Sequence, residues 1–475
     1  ELAGLAPDDF DQLTINGTAT LDGTLDVSLL GGFAPLSGRQ FPILTFDSAT
    51  GTFANQTGTS GLTLDSQATS VALTSISSVV MAIDRGGSRA TFTDVDGDKV
   101  VVKTSKGALT AANFAFDVNG NLALIDLTAG QNLRGASLSP YAKTKFSVSA
   151  KAKNGGDGLV NVGALNASGF SLKSVKIDGD LGKIDAGEGV EGKKTFKKLQ
   201  ANTIGFSATP GAESNVAGTI GVMKIKNNIR GVVNVTAGLA DDAGLSATAV
   251  QAIRKVVVGG SIDGSAGGQR AGLLRVSGDI SSVKVKGSVI GGADLSGIVV
   301  GGNAGKIKIG GDLMSGDADR PVTVSALGLV GVNKENKAVA LKKVLIGGGV
   351  LNSEILAGFR RDGTPFNADA SIGKIIVDGD WTASSAAAGV ADVTADGFGI
   401  NDAIIAGSDS PDILARIASI TIGGDVAGSV EAGDHFGITA QQIGTLTLGR
   451  ARQPLVVGEG DVIDLTADFT AVDFA

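Results

Sequence analysis

The sequence has no cysteine and almost no histidine, tryptophan or tyrosine. Cysteine is absent from all 475 residues, and His435, Trp381 and Tyr141 are the single members of their types. The absence of cysteine excludes disulfides, thiol nucleophiles and Cys-based zinc or iron–sulfur centres. A single histidine excludes sites with several imidazole ligands and leaves one candidate base for a Ser-His-Asp triad. The composition therefore offers little material for catalysis.

Long apolar runs are also missing. No uninterrupted apolar stretch approaches the roughly 20 residues that a transmembrane helix requires. The sequence opens on "ELAGLAPDDF", with neither a Met nor the basic and apolar leader of a secretory signal. We therefore expect no transmembrane segment, and we expect a mature or processed product.

Glycine is abundant where proline and aromatic residues are scarce. The chain has 72 Gly, 9 Pro and 4% aromatic residues. No G-x-y period is present, which excludes collagen, and 43% hydrophobic residues with a positive mean hydropathy argue against disorder. This composition is typical of short stacked strands joined by tight turns.

Charge is distributed unevenly along the chain. Residues 1–100 hold 4 basic and 12 acidic groups, residues 101–260 hold 19 and 11, residues 261–400 hold 14 and 14, and residues 401–475 hold 3 and 11. Acidic ends around a basic middle favour contacts between copies of the same molecule. The alternative is a set of solvated faces without a partner.

One short pattern recurs from about residue 172 onward. It reads apolar-x-apolar-x-Gly-(Asp/Gly/Ser)-apolar, and its copies are "VKIDGDL" at 175, "MKIKNNI" at 223, "VVVGGSI" at 256, "LRVSGDI" at 274, "VKVKGSV" at 283, "IKIGGDL" at 307, "VLIGGGV" at 344, "IIVDGDW" at 375, "ITIGGDV" at 420 and "LTLG" at 446. Each copy is too short to bury its own apolar face, whereas stacked copies bury a continuous core.

This repeat predicts an all-β fold, a parallel β-helix (β-solenoid) with loop insertions over residues 154–475, strongest over about 170–450. Alternating apolar residues would point inward, and Gly would supply a positive φ at the corners. One helix is predicted at 246–256, "SATAVQAIRKV".

An N-terminal strand-repeat segment is predicted over residues 1–80. Residues 12–30, "QLTINGTATLDGTLDVSLL", alternate cleanly, with a turn at Asp22-Gly23. The stretch "LTINGTATLDGTLDVSLLGGFAPLSGRQFPILT" and the closing "GTF" at 51–53 resemble large secreted bacterial β-strand-repeat and autotransporter-passenger-like surface proteins. The resemblance implies secretion, a bacterial cell-surface location and a precursor longer than this chain.

A small antiparallel β unit is predicted over residues 81–153, with turns at Asp96-Gly97, Lys106-Gly107 and Asn119-Gly120. Its turn "DVDGD" places Asp94, Asp96 and Asp98 at alternate positions, where carboxylates can converge on a hard cation. The EF-hand interpretation fails because Ser105 stands where the twelfth-position Glu belongs. "FTDVDGDKVVVKT" nevertheless resembles the Asp-rich turn of calcium-binding β-sandwich modules of bacterial surface proteins. Ca²⁺ is the one cofactor expected, and a solvated acidic turn is the alternative.

Acidic pairs recur at the corners of the repeat. Two carboxylates on one face suit a glycoside hydrolase or the calcium site of a β-helix polysaccharide lyase; the pairs are Asp178/Asp180, Asp378/Asp380 and Asp425/Asp434. Asp after Gly is also a favoured turn residue that bonds nearby backbone amides. Because the Asp recurs in many copies while an active site is unique, we predict no catalytic residues among them.

The remaining conspicuous side chains have structural interpretations too. His435 lacks a nearby Ser elbow or oxyanion-type turn, so a surface or satisfied loop histidine is expected. Trp381 ends "VDGDW" at an apolar position of the pattern and is expected to pack in or near the core. The Lys-rich stretch "GKKTFKKLQ" (192–200) holds Lys193, Lys194, Lys197 and Lys198. An anionic glycan, a neighbouring subunit or a plain solvated loop explains it better than nucleic acid.

The sequence is compatible with three functions. The first is a non-catalytic extracellular structural protein that self-assembles, with copies of itself or related surface proteins, into a layer or fibre, or that acts as an adhesin stalk. The second is a polysaccharide-binding or polysaccharide-degrading β-helix protein with extracellular glycans as partners. The third is a spacer that presents another part of a larger precursor.

Overall fold

The alternating apolar residues form strands throughout the chain, which is all-β with long sheets rich in parallel pairs (51% strand, 2% helix). A computed structural model describes residues 1–31, 33–76, 79–129, 139–206, 213–237, 250–265, 272–399, 401–406, 410, 412–429, 435–455, 462–466 and 469–473. Three 3₁₀ helices span Pro7–Asp9, Ala111–Asn113 and Glu335–Lys337. The residues cluster in two units, Glu1–Asn132 with Ser147–Asn166, and Leu133–Phe146 with Ala167–Ala475.

The first unit holds eleven strands, numbered along the chain: β1 (Leu13–Leu21), β2 (Thr24–Asp26), β3 (Gln40–Gly51), β4 (Asn55–Thr57), β5 (Leu62–Ser66), β6 (Ser70–Ser75), β7 (Ala82–Ile83), β8 (Arg89–Thr93), β9 (Lys99–Thr104), β10 (Phe114–Phe116) and β11 (Leu122–Asp126). Strands β12 (Lys145–Lys151) and β13 (Val162–Ser168) each have residues in both units.

Both parallel and antiparallel pairs occur in the first unit. Strand β1 pairs with β3, and β2 with β4, in parallel, while β3, β6 and β5 pair antiparallel. The turn at Asp22-Gly23 joins β1 to β2 in sequence, although the two strands do not pair with each other. Strands β7, β8 and β9 form an antiparallel meander, and β10 pairs antiparallel with β11. The antiparallel pairing predicted around Asp96-Gly97 and Asn119-Gly120 is therefore confirmed.

Three stacked parallel sheets form the second unit. Sheet 1 contains β14 (Ser174–Ile177), β16 (Lys194–Ala201), β18 (Thr219–Ile225), β20 (Gln251–Val258), β23 (Asp279–Val285), β26 (Ala304–Ile309), β29 (Val339–Ile346), β32 (Ser371–Ile372), β33 (Ile375–Val377), β38 (Arg416–Ile417), β39 (Ile420–Ile422), β42 (Gln442–Ile443) and β43 (Leu446–Leu448), with β44 (Ala451–Arg452) antiparallel to β43. Sheet 2 contains β21 (Ile262–Asp263), β24 (Val289–Ile290), β27 (Leu313–Met314), β30 (Val350–Leu351), β34 (Trp381–Thr382) and β40 (Val426–Ala427).

Sheet 3 contains β15 (Leu181–Gly187), β17 (Glu213–Ala217), β19 (Val232–Val235), β22 (Leu273–Val276), β25 (Gly297–Val300), β28 (Val322–Ala326), β31 (Ser353–Ala357), β35 (Ser385–Ala388), β41 (Phe436–Ala440) and β46 (Phe469–Asp473), with β45 (Val462–Thr466) antiparallel to β46. A separate hairpin pairs β36 (Val390–Ala391) with β37 (Ala403–Ile404). From β20 to β40 the chain passes through sheets 1, 2 and 3 in turn and then returns to sheet 1. One such passage is called a repeat below.

The predicted apolar columns are confirmed in sheet 1. Ten apolar residues stack in register, each 0–1% exposed: Val175, Leu199, Met223, Val256, Val283, Ile307, Val344, Ile375, Ile420 and Leu446. Burying an aliphatic side chain of this size stabilises a fold by roughly 1.5–3 kcal/mol. One predicted copy is wrong, because "LRVSGDI" at 274 lies on sheet 3. Conversely, the column contains Leu199, between Val175 and Met223, from a stretch that lacks the Gly-Asp signature.

The prediction that the corner glycines need a positive φ is confirmed at the Ala-Gly corners, where Gly187 and Gly358 have φ of 109° and 99°, and is wrong at the corners of the Gly-(Asp/Gly/Ser) pattern. Within the described residues, the corner glycines Gly260, Gly287, Gly311, Gly348 and Gly424 all lack it. Each instead lies directly on the polar corner side chain of the preceding repeat. A Cβ at Gly287 would come within 2.5 Å of Ser261 Oγ, and one at Gly348 within 2.9 Å of Asp312 Cγ. Glycine is required here because adjacent repeats approach too closely for any side chain.

The predicted helix at 246–256 is also wrong where the structure describes it. Residues 246–249 lie outside the described residues, and the remainder enters strand β20. Ile253 and Val256 are fully buried, while Arg254 and Lys255 are exposed. The register with β18 and β23 buries these apolar side chains in the sheet, which overrides the local helical pattern.

We expect Gly348→Ala to destabilise the second unit by about 1–3 kcal/mol, the range for overpacking a tight contact. The added methyl would overlap the Asp312 carboxylate and lie 3.0 Å from the Gly311 carbonyl carbon. Urea unfolding followed by circular dichroism measures the change. Gly316→Ala is the matched control because a Cβ there meets nothing within 4 Å. Equal stability of the two variants would contradict the close-approach explanation.

Candidate functional sites

Sheet 1 carries a strongly basic outer surface. Eleven basic side chains, exposed except for the half-buried Lys343, form what is called the basic face: Lys197, Lys198, Lys224, Arg254, Lys255, Lys284, Lys306, Lys308, Lys342, Lys343 and Lys374. Among the strands of sheet 1, the sole acidic residue is Asp279, at the start of β23. No ion pair recorded between described residues involves any member of the basic face.

The parallel register brings like charges directly together on this face. Lys284 is the partner of Lys308, and Lys306 is the partner of Lys343, on neighbouring strands. Neighbouring strands lie about 4.8 Å apart, and like charges in direct register are destabilising. The fold therefore sustains a repulsion that a bound polyanion or acidic surface would relieve.

A groove of about 590 Å³ opens on the same face. Cations line one part of it (Lys306, Lys342 and Lys343), and hydrogen-bonding groups line another (Gln251, Ser281 and Asn303). Ser281 Oγ lies 2.6 Å from Gln251 Oε1, while the buried Asn303 Oδ1 has no partner among the described residues. The groove thus combines positive charge with amide and hydroxyl groups.

Asp279 lies at the edge of this groove and holds the backbone of Asn303 in place. Its carboxylate accepts a hydrogen bond from the Asn303 N–H at 2.7 Å, in the following repeat. Burial raises the pKa of Asp279, and the Asn303 hydrogen bond offsets part of that rise. The carboxylate positions backbone at a corner and is half-buried at the edge of the groove.

Polar side chains at the corners link successive repeats, and one member of the predicted acidic pairs, Asp380, is among them. Four corner side chains accept a backbone N–H from the next repeat at 2.8–3.1 Å: Asn228 from Ser261, Ser261 from Ser288, Ser288 from Asp312, and Asp312 from Gly349. Asp380 accepts the N–H of Asp425 at 2.9 Å in the same way. The corner Asp therefore caps the following repeat and not its own turn. Asp178 pairs with Lys176 at 2.8 Å, and Asp434 lies outside the described residues.

The Lys-rich stretch is part of this architecture and is not a loop. Residues Lys194–Ala201 form strand β16, in which Lys197 and Lys198 belong to the basic face. Lys193 instead forms an ion pair with Glu188. Sequence inspection detected the stretch but missed the face, although the signal was present. Lysine occupies the outward position in "VKIDGDL", "MKIKNNI", "VKVKGSV" and "IKIGGDL".

Asp94, Asp96 and Asp98 do come together in the first unit. Each offers a carboxylate oxygen, and these oxygens lie within 4.8 Å of one another. A cavity of about 260 Å³ beside them is lined by further oxygen-bearing side chains, Asn121, Asp157 and Asn161. An all-oxygen set of this kind suits Ca²⁺ better than a transition metal.

The three carboxylates differ in their surroundings. Asp98 is fully buried and accepts the N–H of Lys153 at 2.9 Å and that of Gly158 at 2.5 Å. Partial burial and the neighbouring Asp96 raise the pKa of Asp94 to about 7, whereas the hydrogen bond with Asp94 lowers the pKa of Asp96. Asp98 thus fixes the 153–158 segment, and Asp94 and Asp96 are the carboxylates left to share a proton or a cation.

His435 and Trp381 occupy different environments. Trp381 is fully buried and donates its indole N–H to the Ser384 carbonyl at 2.7 Å, which confirms the predicted core packing. His435 is partly exposed, and its Nε2 lies 3.7 Å from Asp396 Oδ2. It lines a second acidic cavity of about 260 Å³ together with Glu354, Asp392 and Asp396. Sequence inspection missed this cavity because its lining residues come from segments far apart in the sequence and no short motif joins them.

Comparisons of this chain with protein-family models, with curated proteins and with solved structures find no match. None of the helices in the described part of the chain has the length and apolarity needed to cross a membrane.

We expect Asp98→Ala to destabilise the first unit by about 2–4 kcal/mol, because two backbone N–H groups would lose a buried charged acceptor. Asp96→Ala should change stability far less, since Asp96 is exposed, accepts the Asp157 backbone N–H at a longer 3.3 Å, and otherwise bonds to the Asp94 carboxyl. Chemical denaturation of both variants in EDTA measures the difference. A larger effect at Asp96 would contradict the assignment of Asp98 as the structural carboxylate.

We expect Asp279→Asn to flatten the pH dependence of stability in the acid range. The raised pKa means that folded Asp279 binds a proton more tightly than unfolded Asp279 does. Its contribution to stability is therefore highest at low pH and falls as pH rises above about 3.8, its unfolded pKa. Asn keeps an oxygen acceptor for Asn303 and does not titrate. Urea midpoints measured from pH 3.5 upward test this, and an unchanged slope would contradict it.

Proposed function

We propose that the chain is a β-solenoid that acts as a non-catalytic structural protein at the bacterial cell surface, where copies assemble laterally into a layer or fibre. The observation that carries the proposal is the basic face. Two of its lysine pairs, Lys284 with Lys308 and Lys306 with Lys343, lie in direct register, and its cations lack ion-pair partners among the described residues. Residues 1–100 and 401–475 each carry a net charge of −8. They supply the complementary acidic surface on a second copy.

The parallel stacking supports the solenoid part of the proposal. Sheets 1, 2 and 3 each add one strand per repeat over most of the second unit, and their apolar columns form one elongated core. The repeated corner residues support a non-catalytic role. Their polar side chains already hold the next repeat, so Asp380, for example, has a structural function.

The strand edges favour lateral over end-to-end contact at one end of the stack. Strand β44 pairs antiparallel with β43, and β45 pairs antiparallel with β46, at the last strands of sheets 1 and 3. These additions interrupt the parallel register that another copy would have to continue. An adhesin stalk would use the same solenoid, with no second copy bound to the basic face.

A second candidate is a protein that binds acidic polysaccharides on the basic face. The groove at Lys306, Lys342 and Lys343 favours it, because amide and hydroxyl groups beside the cations suit a hydroxylated, anionic chain. Calcium at Asp94, Asp96 and Asp98 is compatible with either candidate and stays a prediction.

We expect the double variant Lys306→Glu/Lys343→Glu to lose self-association, since it replaces two in-register cations at the centre of the basic face. Sedimentation velocity at 20–300 mM NaCl measures the association, which should weaken as salt screens the charges in the wild type. Lys334→Glu/Lys337→Glu, at exposed positions outside the basic face and outside residues 1–100 and 401–475, is the control with the same change in net charge. Negative-stain electron microscopy of the wild type should show the layer or fibre.

The results of these experiments distinguish lateral assembly from polysaccharide binding. Wild-type protein that stays monomeric at every concentration at 20 mM NaCl contradicts lateral assembly. If that monomer binds a polyuronate and the Lys306→Glu/Lys343→Glu variant does not, the polysaccharide-binding candidate replaces the first. Binding of neither kind contradicts both.

A further inference from the structure

The cations of the basic face follow one another without a gap along the stack. Strands β16, β18, β20, β23, β26 and β29 each carry at least one exposed lysine or arginine. Lys374, directly before β33, continues the series, and its carbonyl accepts the N–H of Val344 in β29. Six steps of about 4.8 Å extend this series over about 29 Å. The basic face is therefore a line of positive charge that crosses the strands.

The groove on the basic face runs in the same direction as this line of charge. Its lining residues come from four successive strands: Gln251 from β20, Ser281 from β23, Gly305 and Lys306 from β26, and Lys342 from β29. Gly305 keeps the middle of the groove open, and a Cβ there would come within 2.2 Å of the Ser281 carbonyl oxygen. An extended chain along the stack axis would fit the groove and continue over the cations beyond it.

A line of charge favours a ligand whose own charges repeat. Lys284 and Lys308 repel each other in direct register, as do Lys306 and Lys343. A compact anion would offset the repulsion only among the cations around it. A linear polymer with an anionic group on every unit would offset the repulsion at several strands at once. The surface therefore fits an extended polyanion better than a small one.

Oxygen acceptors in the groove indicate that this polyanion also donates hydrogen bonds. Asn303 lines the groove, and its buried Oδ1 has no hydrogen-bond partner among the described residues. Asp279 lines the same groove, and an ionised carboxylate only accepts hydrogen bonds. An ionised polyphosphate chain lacks donors for these oxygens, and Asp279 would repel it. Sugar hydroxyls donate as well as accept, so a polysaccharide satisfies both groups.

We propose that the basic face binds a linear polyuronate, a polysaccharide with a carboxylate on every sugar, extended along the stack axis and across the strands of sheet 1. Carboxylates of the polymer pair with lysines of successive strands, and its hydroxyls bond to Asn303 and Asp279 in the groove. This binding mode rests on the polysaccharide-binding candidate above. It specifies the class of polymer, its direction and the length of the surface that it covers.

The direction of the polymer makes its affinity depend on its length. The groove crosses three steps between strands, about 14 Å, whereas the line of cations extends over about 29 Å. A short oligomer fills the groove alone, and a longer one also reaches Lys197 and Lys198 on β16. Affinity should therefore rise with chain length until the line of cations is covered and then become constant.

Fluorescence anisotropy of end-labelled oligogalacturonates, from trisaccharide to dodecasaccharide, measures binding to the dilute full chain at low salt. Lys306→Gln/Lys343→Gln should raise the Kd of every oligomer at least tenfold, because both cations lie at the groove. Lys197→Gln/Lys198→Gln should raise the Kd of the dodecasaccharide far more than that of the trisaccharide. Thermal unfolding verifies that each variant folds.

Two further variants complete the experiment. Lys334→Gln/Lys337→Gln removes two exposed charges outside the basic face and is the matched control, which should leave binding unchanged. Asn303→Ala removes the acceptor in the groove without removing charge. It should raise the Kd of the oligogalacturonates several-fold and leave the Kd of a polyphosphate of similar length unchanged.

Three results would overturn the proposed binding mode. Wild-type protein that binds no oligogalacturonate of any length contradicts the polysaccharide-binding candidate as well. Equal affinity for the trisaccharide and the dodecasaccharide, or dodecasaccharide binding unchanged in Lys197→Gln/Lys198→Gln, leaves that candidate in place and contradicts the direction along the stack. Polyphosphate that binds as tightly as the oligogalacturonates and loses as much affinity in Asn303→Ala contradicts the choice of a polyuronate.

Discussion

Backbone hydrogen bonding between successive repeats, which sets a spacing of about 4.8 Å, is the constraint on which the second unit depends. At that spacing the inward positions must fill a continuous core, as Val283, Ile307 and Val344 do. At the corners no room remains for a side chain, so Gly311 and Gly348 are required there. The neighbouring polar residue, Ser288 or Asp312, then caps the next repeat's amide. The apolar core, the corner glycines and the capping side chains all follow from the spacing between neighbouring strands.

The same constraint creates the basic face. Parallel register places outward residues directly above one another, so lysines that recur at one position of the pattern in successive strands meet directly, as Lys284 and Lys308 do. Lys306 and Lys343 meet in this way although they are far apart in sequence. In a flexible loop these charges would move apart, whereas here the hydrogen bonds between parallel strands hold them in place. Their repulsion persists unless anions bind there, and this is why we propose the basic face as an interaction surface.

The sequence predicted the parts of the fold that are periodic. Alternating apolar residues identified the strands of sheet 1, and the antiparallel turn at Asp96-Gly97 was predicted from its local residues. The wrong predictions concern residues whose local sequence pattern disagrees with the way the strands stack. "LRVSGDI" has the local signature yet lies on sheet 3, Leu199 lacks the signature yet lies in the column, and Arg254 sits in a strand because its neighbours' register overrides helical spacing. Glycine's role was misassigned because close approach between repeats leaves no local trace in the sequence.

The candidate sites also divide into those that a local sequence pattern predicts and those that depend on how distant segments pack. Asp94, Asp96 and Asp98 were predicted because three carboxylates within five residues converge on one turn. The acidic cavity lined by Glu354, Asp392 and Asp396 could not be predicted from the sequence, since it depends on a hairpin inserted between two repeats and packed on sheet 3. In a regular stack every corner is equivalent, and equivalent corners hold the stack together. An insertion such as the β36–β37 hairpin breaks this equivalence, and the acidic cavity beside it follows from that break.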